Sequence, residues 1–189
     1  MTTEIHYAVT DDERREVRDF LAEHIPGIAP NAVPRLEMDG AYAPLIPVVR
    51  GAEGEICGAA LTCRSQLAAG ARLMPALAAQ YASVMDKHSE LDLIAVAEDE
   101  RGRGLGTALM SELEARLVER GVRVWFGNVT HDNDVGRLRG FYVNRGFTVL
   151  DEGQPLPPLL GKNWVPPGVA QPAFFFYKRV RAAGEPVSQ

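Results

Sequence analysis

Residues 101–106, Arg-Gly-Arg-Gly-Leu-Gly, place three glycines and two arginines at the entrance of a helical pattern. Each glycine costs roughly 1 kcal/mol against alanine inside a helix, so bare backbone is wanted there for another purpose. The apolar run Leu91-Asp92-Leu93-Ile94-Ala95-Val96 precedes it. A strand, a glycine-rich turn and a helix form a phosphate-binding geometry: unpaired N–H groups at the helix start meet an anion that glycine lets approach. Spacing excludes two common versions. The dinucleotide pattern G-x-G-x-x-G would need glycine at Thr107 or Leu109, and no Gly-Lys pair occurs to make a G-x-x-x-x-G-K-[ST] loop. What remains is Arg101-x-x-Gly104-x-Gly106. His6, His24, His88 and His131 lack metal-ligand spacing, so no metal site is expected.

The elements that must position this loop follow from periodicity. Ile5–Val9 reads as a strand, and Thr10-Asp11-Asp12-Glu13 as a capping box for a helix to about His24. Residues 28–43 are irregular, with room for a short helix. Strands over Leu45–Arg50 and Ile56–Cys63 flank the turn Gly51-Ala52-Glu53-Gly54. Between 64 and 88, Leu73, Leu77, Tyr81 and Met85 recur every four residues and predict a helix with Pro75 in its first turn. After the strand Leu91–Val96, the stripe Leu105, Leu109, Leu113, Leu117 predicts a helix stopped by Gly121. Val122–Val129 is a further strand, and Asp132 or Asn133 is positioned to cap a helix from about Asp134 to Arg145. Strands at Phe147–Leu150 and Ala173–Arg179 bracket the proline-rich residues 155–172. Trp125 and Phe126 are expected in the core, as is Phe174-Phe175-Phe176-Tyr177. Alternation of strands and helices favours α/β packing about a partly parallel sheet.

With these elements in place, "LDLIAVAEDERGRGLGTALM" (91–110) closely resembles the pyrophosphate-binding motif of the GNAT superfamily of acyl-CoA-dependent N-acetyltransferases, Arg/Gln-x-x-Gly-x-Gly/Ala. "FYVNRGF", Phe141–Phe147, resembles the same family's aromatic-Tyr-x-x-x-Gly-Phe motif. The resemblance covers residues 45–150 and extends to the N-terminal strand and helix, but says nothing of 64–88 or 151–172. It departs from the family at Val135, where relatives carry an asparagine seven residues before the tyrosine; Asn133 is the nearest candidate for that cofactor contact.

The resemblance implies an α/β GNAT-like single domain over residues 1–181, with a central mixed, splayed sheet of six to seven strands flanked by helices. Residues 182–189 would be a disordered tail. It implies acetyl-CoA as co-substrate and direct attack by a primary amine of a small molecule or peptide in a ternary complex. Backbone donors of Arg101, Gly102, Arg103, Gly104, Leu105, Gly106 and Thr107 would take the pyrophosphate. Ile94, Ala95 and Val96 would hold the pantetheine arm, with the Val96 N–H polarising the thioester oxygen. Phe141 and Arg145 would complete the cofactor surface; Arg137, Arg139 and Arg145 are candidates to meet CoA phosphates, and a charged helix face accounts for them equally well. Tyr142 matches the family's acid for the leaving thiolate. Glu90 and Asp92, on one face at period two, occupy the positions of the base. Each carboxylate also has a plainer reading, Glu90 as a solvated loop residue and Asp92 as a partner for neighbouring backbone.

The family's acceptor pocket would draw on residues 20–40 and 151–172, where Trp164 is a lid or loop filler. The net charge of −5 disfavours a nucleic-acid partner. The interrupted apolar stretch near 67–85 disfavours a membrane span, and the charged residues 11–15 disfavour a signal peptide. Cys57 and Cys63, six apart in one strand, are expected on one face as free thiols of a cytoplasmic protein. A homodimer stays open. The alternative to an enzyme is a CoA-binding module of the same fold that senses or assembles without turnover.

Overall fold

Thr10 begins the first long helix as the sequence predicts. In the computed structural model, which describes residues 4–74, 85–158 and 172–180, its hydroxyl accepts from the Glu13 N–H at 3.2 Å. The Glu13 carboxylate in turn accepts from the Thr10 N–H at 2.9 Å. This reciprocal pair satisfies two donors that a helix start leaves open. Helix α1 (Asp11–His24) buries Val17, Phe20 and Leu21. The remaining elements in chain order are α2 (Asp39–Tyr42), α3 (Gln66–Arg72), α4 (Leu105–Glu119) and α5 (Val135–Val143). The strands are β1 (His6–Tyr7), β2 (Pro47–Arg50), β3 (Ile56–Cys63), β4 (His88–Val96), β5 (Val124–Val129), β6 (Thr148–Val149) and β7 (Phe174–Arg179).

The seven strands form one open sheet in the order β1-β2-β3-β4-β5-β7-β6. Among the described strands, only the β4–β5 pair is parallel, so the sheet is mixed. Each face carries its own core. On one, the predicted leucine stripe of α4 is buried and packs with Trp125, Phe147, Phe174 and Phe176. On the other, α1 lies over Val48, Ala59 and Leu61. Apolar alternation along β3 feeds both faces, as a strand covered on both sides requires.

Three expectations are corrected. Cys57 and Cys63 are free thiols but pack into opposite cores. An extra β3 residue lies between the pairs Val49↔Gly58 and Arg50↔Ile56, and this bulge breaks the alternation. Ahead of the helix predicted from Leu73, Ser65 caps a short helix α3 by accepting from Ala68 N; α3 ends at Arg72, Leu73 is exposed, and Met85 at the far end of the predicted stripe is helical and buried. Leu77 and Tyr81 of the predicted stripe, and Pro75, lie outside the described residues, as does Trp164. Asp134, not Asp132 or Asn133, caps α5 by accepting from Arg137 N at 3.1 Å, because Asn133 is held in a turn back to Thr130. Strand β1 is shorter than predicted, with Val9 exposed ahead of the capped helix.

Candidate functional site

β4 and β5 run side by side only from His88 to Leu91 against Val124 to Gly127. Beyond Leu91 no pairing joins them, and the two strands open into a wedge. A bulge marks the place: β3 pairs Thr62↔Leu91 and Leu61↔Leu93, leaving Asp92 as the extra residue. Buried polar groups pin it. The Trp125 indole donates to Thr62 Oγ1 at 2.9 Å, Thr62 Oγ1 donates to the Glu90 carbonyl at 2.7 Å, and Ser89 Oγ lies 2.8 Å from Thr62 Oγ1. Downstream, Ala97 N–H donates to the Cys57 carbonyl on β3. By strand alternation the backbone groups of Val96 therefore face the wedge. Arg101 Nε donates to the Val96 carbonyl at 3.3 Å from that side, and the Val96 N–H points the same way.

The predicted phosphate loop forms a cavity of about 330 Å³ at the mouth of this wedge. Gly102 (φ +80°) and Gly104 (φ +86°) adopt the left-handed backbone that glycine alone enters without penalty. Gly104 is the N-cap of α4 and brings no side-chain acceptor to the free donors behind it. A Cβ added to Gly104 meets no atom within 4 Å, so the space before the helix start is open. Gly106 instead lets α4 lie against Phe141, whose ring a Cβ would meet at 3.4 Å.

Ile94, Ala95, Val96, Arg101, Gly102, Gly104, Leu105, Gly106, Thr107, Asn133, Phe141 and Arg145 all line this cavity. Arg103 is not brought in: it turns outward and pairs with Glu100 at 2.9 Å. Arg137 lines it too, whereas Arg139 does not; His24, Ile25, Glu100 and Leu138 line it without having been singled out as cofactor contacts. Arg145 stacks on Phe141, 4.8 Å from the ring centre, and donates to Thr107 Oγ1. Its Nε is buried with no hydrogen-bond partner among the described residues. A buried orphan cationic donor beside open backbone donors is what a phosphate group would satisfy, so the residues fit the pyrophosphate of CoA.

A second cavity, of about 570 Å³, adjoins the first and shares Ile25, Ile94, Asn133 and Leu138 with it. Asp92 and Tyr142 both line it; Glu90 does not. The Tyr142 ring stacks on Phe176 at 3.8 Å between centres. This stack exists because Gly127 has no side chain: a Cβ there would sit 2.4 Å from the Phe176 ring and 2.8 Å from the Leu91 carbonyl. Burial pushes the Tyr142 hydroxyl's pKa upward, so the group stays protonated and available as a donor.

Asp92 accepts from Cys63 Sγ at 2.8 Å. Its carboxyl is raised by the protein packed around it, while the thiol bond pulls the other way. The side chain faces open cavity, so solvent relieves part of that desolvation until the cavity is filled. Glu90 is shut in at 8% exposure, and burial raises it first, the Asp92 charge second. Sequence reasoning missed Cys63, Arg35 and Arg64 on this cavity's wall. The pairing Cys63↔Glu90 could have flagged the thiol, since antiparallel partners share a face.

A splayed β4–β5 pair with a glycine loop at its mouth is the architecture of the GNAT acetyltransferases. The chain matches the family described as "Acetyltransferase (GNAT) family" over residues 16–147 and belongs to it. No curated protein matches the chain. Among solved structures, it is similar to a GNAT-family acetyltransferase from Staphylococcus aureus Mu50, at 15% identity and TM-score 0.66, covering 95% of this chain and 100% of that one. It is also similar to the ribosomal-protein-S18-alanine N-acetyltransferase from Escherichia coli, at 19% identity and TM-score 0.61, with both chains fully covered. Ard1 from Thermoplasma volcanium aligns at 17% identity and TM-score 0.61, covering 96% of this chain and 100% of that chain. At these identities the likeness is one of fold. Among the described residues, no helix is long and apolar enough to cross a membrane.

Proposed function

We propose that the protein transfers the acetyl group of acetyl-CoA to a primary amine of a small molecule or peptide, by direct attack in a ternary complex. The observation that carries this reading is the joining of two cavities, one with open phosphate donors and the other with both Asp92 and Tyr142 on its wall. A binding module needs only the first cavity.

An alkylammonium, with a pKa of about 10.4, has no lone pair to attack with. Asp92, pushed up to about 7 by burial with the Cys63 bond opposing part of that rise, has the affinity to take the proton near neutral pH, directly or through a water. Glu90, behind it, is pushed up to about 8 by burial and by the Asp92 charge, so it keeps its own proton at neutral pH and leaves Asp92 as the carboxylate that accepts. The amine nitrogen then bonds to the thioester carbon, and the oxygen that gains charge receives the Val96 N–H. As the carbon–sulfur bond breaks, Tyr142 gives its proton to the departing thiolate. Arg101, Arg145 and the backbone of Gly102–Thr107 hold the pyrophosphate, and Ile94–Val96 the pantetheine arm.

The test is release of free thiol from acetyl-CoA over a broad panel of primary amines, paired with calorimetric titration of CoA. Amine-dependent thiol release supports the reading. Tight CoA binding with no release from any amine would identify a non-catalytic CoA-binding module instead.

A further inference from the structure

The acceptor cavity has an uneven charge pattern. Asp92 is the single acidic residue on its described wall, and Arg35 and Arg64 are the cations. Arg64 is fully engaged: Nε and Nη2 donate to Asp86 at 2.9 and 2.6 Å, and Nη1 to the carbonyls of Gly40 and Ala41. The arginines around the neighbouring rim are matched as well, Arg14 with Asp39, Arg15 with Asp12 and Arg18 with Asp19. The Arg35 carbonyl accepts from Met38 N–H, but its guanidinium makes no hydrogen bond or ion pair among the described residues.

The backbone that carries Arg35 is nevertheless held firmly. Buried Arg14 donates to the Pro34 carbonyl at 3.1 Å, to the Ala8 carbonyl at 3.3 Å, and to both oxygens of Asp39 at 2.6 and 3.0 Å. Leu36 N–H donates to Asp11 at 3.0 Å. The turn is therefore fixed immediately before and after Arg35, and at Asp39, while the guanidinium itself is left over. A planar cation presented this way at the wall of a cavity suits an oxyanion.

We propose that the acceptor is an amine that also carries an anionic group, a carboxylate or a phosphate, with the amine at Asp92 and the anion at Arg35. This rests on the amine acetylation proposed above and specifies its substrate. The paired charges orient the acceptor so that its nitrogen, and not its anionic end, meets the thioester.

The experiment compares kcat/KM for a homologous series of ω-amino carboxylates with their uncharged carboxamides, and for phosphoethanolamine with ethanolamine. The series is needed because the best chain length reports the span between the two charges. The wild type should favour the anionic member by about two- to fivefold at the best length, the size of a partly exposed charge pair. Which arm shows the preference distinguishes carboxylate from phosphate. Arg35→Gln should erase the preference through KM, Arg35→Lys should keep part of it, and both should leave CoA affinity and the melting temperature unchanged because Arg35 is exposed. Equal rates for anionic and neutral amines in wild type, or a preference that survives Arg35→Gln, would overturn this inference while leaving amine acetylation standing. No turnover with any amine would overturn both.

Discussion

The cavity over residues 101–107 is walled largely by backbone and by the absence of side chains, whereas the one beneath Tyr142 is walled by side chains from several separate stretches of chain. In the first, the proposed function rests on N–H groups at the start of α4 and on two left-handed glycines. In the second it rests on a tyrosine held by ring stacking and an aspartate held by a thiol. A backbone device tolerates almost any side chain facing outward, and Arg103 shows this by turning away to Glu100. A side-chain device has no such slack. Its geometry depends on Gly127, Phe176, Thr62 and Ser89, none of which lines either cavity.

The contrast predicts two opposite lesions. Gly104→Val puts a branched side chain into the open space before α4 and forces a left-handed conformation costing roughly 1–2 kcal/mol. Calorimetry should find no CoA binding at concentrations that saturate wild type, with the circular dichroism spectrum retained. Binding at wild-type affinity by the folded variant would remove the phosphate assignment. Tyr142→Phe makes the complementary cut, deleting one hydroxyl and almost no volume. CoA affinity should hold while turnover drops by roughly 10²–10⁴-fold, the usual yield of a general acid. Full turnover would leave Tyr142 as a packing residue.

A third change probes the buried charge behind the cavity. Glu90 has its carboxyl raised by burial and by Asp92, so the folded state prefers it protonated. A raised acid supports the fold below its unfolded pKa and withdraws that support as pH rises through the folded value. Glu90→Gln removes the charge permanently. Its melting temperature should exceed wild type's at pH 9 and converge with it near pH 4. A variant less stable than wild type at both pH values would mean that the Glu90 carboxylate is satisfied in the fold.

How far the sequence reveals all this depends on the same distinction. The glycine loop and the α4 stripe are contiguous or periodic, so their spacing is visible along the chain, as is the mixed sheet they imply. Asp92 is visible as a residue, but the bulge that turns it to the cavity comes from Thr62, Ser89 and Trp125 meeting across three strands. Arg145 lies 38 residues from Thr107, and only folding reveals that its Nε has no hydrogen-bond partner among the described residues. The two cysteines show the same limit: period two puts them on one face, and a single extra residue in β3 separates them. Bulges and long-range polar contacts leave no local pattern, so sequence reasoning finds the phosphate site more completely than the acceptor site.

The smallest expected effect belongs to Cys63, and it tests how the side-chain cavity is tuned. Its thiol donates to Asp92 at 2.8 Å, a bond that favours the ionised carboxylate and opposes the rise caused by burial. Burial and the Asp92 and Glu90 charges raise the thiol's own pKa, so it remains a donor across the working pH range and is no nucleophile. Cys63→Ala takes the donor away. The carboxylate then loses its one opposing influence, its pKa rises further, and the low-pH limb of kcat/KM should move to higher pH. Well above that limb Asp92 ionises in both proteins, so the rates should converge there. Cys63→Ser replaces the thiol with a hydroxyl donor and should restore the limb toward wild type. A merely structural role for Cys63 would lower the rate evenly at all pH values, with no movement of the limb and no rescue by serine. That outcome would separate Cys63 from the chemistry and leave Asp92 tuned by burial alone.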